Sequence, residues 1–235
     1  DADAPCPVRG PVARRMWQAC RPFRAVYITP MAAVAGSVAQ EIVACYARPG
    51  IRRAWVNNGG DIALVLADAA DGKRSSLRIG VFSDLSRVAF AVPSRAAQTG
   101  IAQTGIAQTG IAQTGIAQAD LVPDARLLDG HVEIDAAMPV RGVATSGWRG
   151  RSHSLGIADG VTVLARTAAM ADAAATIVAN AVDVRDPRIA RAPACTLKDD
   201  SDLGRLEVTV DVPPLEPSLV QHALTHGPGS LSPAQ

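Results

Sequence analysis

The stretch Arg141–Val182, RGVATSGWRGRSHSLGIADGVTVLARTAAMADAAATIVANAV, predicts two strands and a helix in succession. A strand runs into the turn Ala144–Gly147, a β-branched strand follows at 161–164, and an alanine-rich helix ends the stretch. Asp172 and Thr176 are four residues apart in that helix, so their side chains lie one above the other. A carboxylate and a hydroxyl so placed are hard oxygen ligands that suit Mg²⁺, and the backbone N–H groups of the turn suit a phosphate.

Each of these features also has a purely structural explanation. The aspartate can interact with the start of its own helix, and the threonine can bond back to the preceding turn, without any metal. The glycine turn can be an ordinary tight loop. A metal and phosphate site therefore needs support from the rest of the chain.

The composition bounds the class of protein. The chain has 235 residues, of which 48% are hydrophobic, so it can form a sizeable core. A net charge of +1 and 3% aromatic residues argue against binding to nucleic acid. No apolar run reaches the roughly 20 residues of a membrane helix. The four cysteines form no C-x-x-C pair, so we expect neither a zinc site nor a disulfide framework. Together these features predict a soluble, cytoplasmic protein.

The chain is predicted to have three parts. Residues 1–24 are a Pro/Arg-rich segment in which 12–20 can form a short helix, and the start at Asp1 predicts a processed or truncated N-terminus. Residues 25–226 are predicted to form a single domain. Residues 227–235, rich in Gly, Pro and Ser, are predicted to be a flexible tail.

A tandem repeat interrupts the predicted domain. The unit Ala-Gln-Thr-Gly-Ile runs four times over residues 97–116, and its period of five matches neither a helix face nor a strand face. We predict a disordered surface loop at 96–118. A binding or assembly arm is the alternative.

Deletion of residues 97–116 is expected to leave the melting temperature nearly unchanged. A segment without a periodic apolar face buries little surface, and each doubling of loop length costs only about 0.6 kcal/mol. Thermal unfolding of the deletion variant beside the full chain measures the effect. A large fall would show that the repeat packs against the domain.

The other segments predict strands and helices. Pro30 opens a helix to about Ala47 whose small residues allow another backbone, or a ligand, to approach closely. Residues 195–204 are predicted to be an acidic loop, and residues 25–29 either a strand or an extended lead-in. Strands are predicted at 53–56, 62–67, 77–82, 131–134, 140–145, 161–164 and 206–212, and a short helix at 217–224.

The segment Asn57–Asp61, NNGGD, lies between two of these strands. Asn-Gly between two β runs is a strong hairpin signal, which is a sufficient structural explanation. A tight turn needs only two such residues, however. The additional asparagine, glycine and aspartate place further donors and acceptors around bare backbone, so this segment is a second candidate ligand site.

Five stretches together resemble the ApbE superfamily, whose best-known members are FAD:protein FMN transferases. The resemblance is greatest to an uncharacterised branch of that superfamily. It implies an α+β, T-fold-like architecture in which antiparallel sheets are backed by alanine-rich helices. The stretches are PMAAVAGSVAQEI (30–42), VNNGGDIAL (56–64), RGVATSGWRGRSHSLGIADGVTVLA (141–165), ADAAATIVANAV (171–182) and DSDLG (200–204).

The resemblance implies FAD and Mg²⁺ as cofactors. The residues that bind Mg²⁺ in that superfamily correspond to Asp172 and Thr176. The residues that lie at the flavin nucleotide correspond to Asn58, Gly59, Gly60, Asp61, Thr145, Ser146 and Gly147.

Three residues between the two motifs are further candidates. Arg149 and Arg151 can neutralise phosphate, or they can be a solvated pair. His153 is the candidate catalytic residue, as a general base. In the transferases a D-P-x-T-G run follows the corresponding histidine, whereas here SLGIADG follows it.

Three functions are compatible with this reading. The first is Mg²⁺-dependent transfer of FMN from FAD to an acceptor, and the second is a flavin or nucleotide-binding module that has lost catalysis. The third is a structural or assembly protein. The expected partners are a flavin nucleotide and a protein acceptor, with no nucleic acid or membrane; formation of a homo-oligomer is left open.

Overall fold

The structure is a computed structural model that describes residues 6–68, 74–81 and 129–226. The predicted repeat loop at 96–118 and the predicted tail at 227–235 lie outside these ranges. In the described residues, the helices are α1 (Pro11–Cys20), α2 (Val34–Ala44), α3 (Ala168–Ala181), α4 (Ala194–Leu197) and α5 (Pro217–His226). The strands are β1 (Arg53–Asn58), β2 (Asp61–Leu66), β3 (Ser76–Val81), β4 (Gly130–Asp135), β5 (Gly142–Ser146), β6 (Val161–Ala165), β7 (Ala190–Pro193) and β8 (Glu207–Asp211).

The strand pairs of these elements are antiparallel. A four-stranded sheet has the order β1-β2-β5-β6, and β3–β4 and β7–β8 form two-stranded ribbons. The helix α2 packs on β1 and β2, and α3 packs on β5 and β6. The predicted α+β class is therefore confirmed. No helix in the described residues is long and apolar enough to cross a membrane.

The strand β2 is buried on both of its faces. Ile62, Leu64 and Leu66 share one apolar cluster with residues of the β3–β4 ribbon. Ala63, which points the other way because strand side chains alternate, packs with Ala39 of α2. The sheet thus lies between the ribbon and the helices, and alternation places Asp61 on the helix side.

Alanine and glycine bring the helices unusually close to the sheet and to each other. Six of the seven buried residues of α3 are alanines. A methyl group added to Gly36 of α2 would lie 2.4 Å from the carbonyl oxygen of Ala168. One added to Gly142 of β5 would lie 2.2 Å from the backbone nitrogen of Ala168. Close packing therefore accounts for these small residues.

Several local predictions need correction. Residues 25–29 form no strand, because 25 and 26 lie in a turn and a bend before 27–29. The helix from Pro30 begins as a 3₁₀ turn and ends at Ala44. Part of the predicted acidic loop is the short helix α4, which the sequence analysis did not anticipate.

The strand β8 also departs from its prediction of alternating burial. Val208 and Thr209 are both buried, and Val210 is 43% exposed. The ladder explains this, because Thr209 pairs with Arg191 and Asp211 pairs with Ala190, which leaves Val210 as an irregularity between them. A bulge interrupts the period of two that the sequence predicts.

Candidate functional site

Antiparallel pairing brings two of the predicted motifs to one end of the four-stranded sheet. The strand β1 ends at Asn58 and β2 begins at Asp61, and these two residues pair with each other. The strand β5 ends at Ser146, and β6 begins at Val161, its partner. The NNGGD turn and the Ala-Thr-Ser-Gly turn therefore lie side by side.

The NNGGD segment forms the predicted hairpin turn. Gly59 and Gly60 have φ values of 72° and 113°, and such positive angles suit glycine in a tight hairpin. The backbone N–H of Gly60 donates to the Asn57 side chain at 2.8 Å, which closes the turn. The Asn58 amide donates to the carbonyl of Ala35 at 3.1 Å, so this turn is also tied to the first turn of α2.

Asp172 faces the N-terminus of α2. Its carboxylate accepts a hydrogen bond of 2.8 Å from the backbone N–H of Gly36 and a second from that of Ala35. The beginning of its own helix is capped by Thr167, whose hydroxyl accepts from the N–H of Met170 at 3.2 Å. The electropositive helix end that acts on Asp172 is therefore that of α2, a neighbour that its own sequence context does not show.

Asp61, which is buried, and Asp172, which is half-buried, lie close enough for the charge of one to affect the other. Burial raises the pKa of Asp172 to about 7, and the bonds from Gly36 and Ala35 partly oppose this rise. Burial, followed by the charge of Asp172, raises the pKa of Asp61, while a backbone bond from Thr145 opposes it. Neither carboxylate forms an ion pair with a lysine or arginine of the described chain. Such a pair tends to hold a proton or to attract a cation.

A cation at this pair would need other oxygen ligands. Thr176 lies one turn after Asp172 on α3 and is half-buried. Within the described ranges, no three His, Cys, Asp or Glu side chains are grouped closely enough to hold a metal. The remaining ligands would come from a hydroxyl, backbone carbonyls, water or a bound phosphate, which is usual for Mg²⁺.

A buried cysteine that the sequence analysis did not single out lies near Asp172. Burial and the charge of Asp172 raise the pKa of Cys20 to about 12, so the thiol stays neutral. Its sulfur donates to the carbonyl of Thr29 at 3.4 Å. The isolated cysteine carried no spacing signal. Only the packing of α1 against α3 brings it to the site.

The loop between β5 and β6 carries the other candidates. Arg149 forms an ion pair of 2.8 Å with Asp159, and Arg151 is exposed. Gly147 has a packing reason to be glycine, because a methyl group there would lie 2.3 Å from the carbonyl oxygen of Asp159. His153 is half-buried at the start of the segment that returns toward α3.

That returning segment is held by the second half of α3. The side-chain oxygen of Asn180 accepts from the hydroxyl of Ser154 at 3.1 Å and from the N–H of Leu155 at 2.9 Å. Asn180 is two helical turns beyond Asp172. The structure thus ties the segment after His153 to the far end of the helix and not to the carboxylates.

The chain is thus an α+β protein that carries an acid pair between a glycine hairpin and the N-terminus of a helix. The chain belongs to the family described as "AbpE bacteria", whose model matches residues 2–122 and 107–232. This membership is consistent with the uncharacterised branch that the sequence predicts.

Comparison with known proteins gives archaeal relatives. A UPF0280 protein of Methanopyrus kandleri is 30% identical over 201 residues, which cover 85% of this chain and 61% of the relative. One from Methanosphaerula palustris is 30% identical over 159 residues, which cover 66% of this chain and 47% of the relative. One from Methanothermobacter thermautotrophicus is 29% identical over 192 residues, which cover 81% of this chain and 56% of the relative. The chain thus spans between about half and three fifths of the length of these relatives.

Proposed function

We propose that this protein binds a flavin nucleotide together with Mg²⁺ and transfers FMN from FAD to an acceptor: a bond forms between the acceptor and the FMN phosphorus, the diphosphate bond breaks, and AMP leaves. The observation that supports this best is the pair of the buried Asp61 and the half-buried Asp172, which no lysine or arginine of the described chain neutralises. Burying uncompensated charge is costly, so such a pair favours a cation. Carboxylate and hydroxyl oxygens fit Mg²⁺, the ion that the ApbE resemblance implies.

The chain would contribute ligands and positioning. Asp172 and Thr176 would hold Mg²⁺ from one stripe of α3, with Asp61 facing the same region from β2. Gly59 is half-buried beside the buried Gly60, so it offers bare backbone near the carboxylates where a nucleotide can approach closely. Bound Mg²⁺ would neutralise charge on the diphosphate of FAD during transfer. The acceptor, a protein or a small molecule, would approach the same end of the sheet.

A binding module without catalysis is the second candidate. It is favoured by the position of His153, whose following residues are tied to Asn180 and not to the carboxylate pair. Without a general base at the acceptor, the pocket would bind the nucleotide but would not transfer FMN.

Replacement of Asp172 by asparagine is expected to abolish the Mg²⁺ dependence of FAD binding. The amide is nearly isosteric and can still accept the bond from Gly36, but it lacks the charge that attracts the ion. Thr176→Val removes a neutral ligand and should weaken the dependence less. Calorimetry of FAD binding with and without Mg²⁺ measures both effects, with the exposed Asp199→Asn as a matched control.

Two outcomes would decide against parts of this proposal. Binding of FAD that is independent of Mg²⁺ in the unaltered protein, or full retention of the dependence by Asp172→Asn, would remove the metal site. Incubation with FAD, Mg²⁺ and cell extract then separates the two candidate functions. A covalently flavinylated band supports transfer, whereas tight binding without such a band supports the binding module.

A further inference from the structure

The loop that joins β5 to β6 places an aromatic side chain at the end of the sheet that carries the candidate site. Trp148 directly follows the Ala-Thr-Ser-Gly turn, and β6 begins shortly after Asp159. The other aromatic residues of the described chain lie on α1, between α1 and α2, after α2, or within β1. Among them, Trp148 is the one on a loop between strands at this end.

The indole of Trp148 is held in one orientation. Its Nε1 donates to Oδ1 of Asp159 at 3.1 Å, and Nε of Arg149 donates to the same oxygen at 2.8 Å. The guanidinium carbon of Arg149 lies 4.7 Å from the centre of the indole ring. The backbone N–H of Trp148 donates to the carbonyl of Ala158 at 3.0 Å. One carboxylate therefore fixes both the ring and the cation that stacks on it.

This arrangement is more specific than a surface ion pair needs to be. A fixed aromatic ring loses little rotamer freedom when a ligand stacks on it, which favours binding. The cation covers one face of the indole. A planar ligand would take the opposite face, while the charge of Arg149 is directed at Asp159.

We propose that Trp148 is the stacking platform for a planar ring of the bound nucleotide, and that Asp159 is the residue that positions it. This inference rests on the proposed nucleotide-binding function and adds a contact to it. The ring can be the isoalloxazine or the adenine of FAD, since both are flat and aromatic.

The test measures the binding of FAD, FMN and ADP in the presence of Mg²⁺. FMN carries only the isoalloxazine and ADP only the adenine, so the pair shows which ring stacks. Trp148→Ala is expected to weaken FAD and one of the two smaller nucleotides about 10-fold or more, the usual size of a lost base–aromatic stack. Trp148→Phe keeps a ring and should lose much less affinity.

Flavin fluorescence gives a readout that a structural role would not move. Indole quenches a stacked isoalloxazine by electron transfer, whereas a phenyl ring does not. If the isoalloxazine stacks, Trp148→Phe should retain most of the affinity for FMN and restore its emission. If Trp148→Ala does not fold, Asp159→Ala, which releases the indole, carries the test through affinity, and Trp148→Phe carries it through fluorescence.

A matched control is available in the same chain. Trp17 on α1 also has an arginine over its ring, with the guanidinium carbon of Arg21 at 5.5 Å from the ring centre. Trp17→Phe should leave all three affinities unchanged. If the unaltered protein binds FAD with Mg²⁺ and the Trp148 variants bind as the Trp17 variant does, this inference is wrong and the proposed function stands. If the unaltered protein binds none of the nucleotides, both are wrong.

Discussion

Asp172→Asn is expected to make the Mg²⁺-free protein more stable than the unaltered chain at pH 8. At pH 4 this gain in stability should be much smaller. Burial raises the pKa of Asp172 from 3.8 to about 7, so the folded state binds more protons than the unfolded state between these values. The free energy of unfolding of the unaltered protein therefore falls as the pH rises from about 4 to about 7. Each pKa unit corresponds to about 1.4 kcal/mol, which makes the upper bound on the order of 4 kcal/mol.

The asparagine variant escapes this loss for two reasons. Its amide cannot ionise, and its oxygen can still accept the bond from Gly36. The charge that raises the pKa of Asp61 is also removed. Added Mg²⁺ should stabilise the unaltered protein but not the variant, because ligand that binds only the folded state shifts the unfolding equilibrium.

Urea unfolding at pH 4 and pH 8 in the presence of a chelator measures the difference. Asp186→Asn is a control of opposite sign, because hydrogen bonds from Arg188 lower the pKa of Asp186 to about 2. The Asp186→Asn variant should not be more stable than the unaltered chain at pH 8. If Asp172→Asn is less stable at both pH values, Asp172 is simply a well-compensated cap of α2.

Gly142→Ala is expected to cause a large loss of stability, because a methyl group there meets the backbone of α3. The new Cβ would lie 2.2 Å from the backbone nitrogen of Ala168 and 2.2 Å from the carbonyl carbon of Thr167. Backbone atoms cannot rotate away as a side chain can, so α3 would have to move off the sheet. Overpacking of this kind costs about 1–3 kcal/mol and occasionally more, and we expect the upper end or a failure to fold.

Gly130→Ala is the matched control for that variant. Gly130 also begins a strand, and a methyl group there would have no atom within 4 Å. Its replacement should change the unfolding free energy by less than about 1 kcal/mol, with a small gain if the unfolded chain is restricted. Equal stability of the Gly142 and Gly130 variants in urea unfolding would show that α3 does not press against β5.

Much of the local structure was predictable because its causes are local. Two glycines between two strand patterns predict the hairpin after Asn58. The prediction works because the tight turn requires positive φ values, which both glycines adopt. The alanine run after Thr167 predicts α3, which that threonine caps. The prediction failed at Val210, where a bulge that depends on the partner strand β7 breaks the alternation.

The candidate site was predictable only as separate pieces. Asp61, Asp172 and the two glycine turns could each be named from motifs, because residue type and spacing indicate the chemistry that they can perform. Their environment could not be read in this way. The carboxylates come from opposite halves of the chain, and whether they are buried together depends on how α3 packs against α2 and β2.

Periodicity, turn chemistry and side-chain type are enough to predict the α+β class, the hairpin, the alanine-rich helices, and the carboxylates and hydroxyl of the candidate site. Their placement depends on packing: Asp172 accepts a hydrogen bond at the N-terminus of α2, the buried Asp61 lies near it, and Asp159 holds Trp148 with Arg149. The physical reason is that electrostatic coupling and desolvation depend on distance in space. A pKa raised to about 7 is a property of the packed site and not of the aspartate alone.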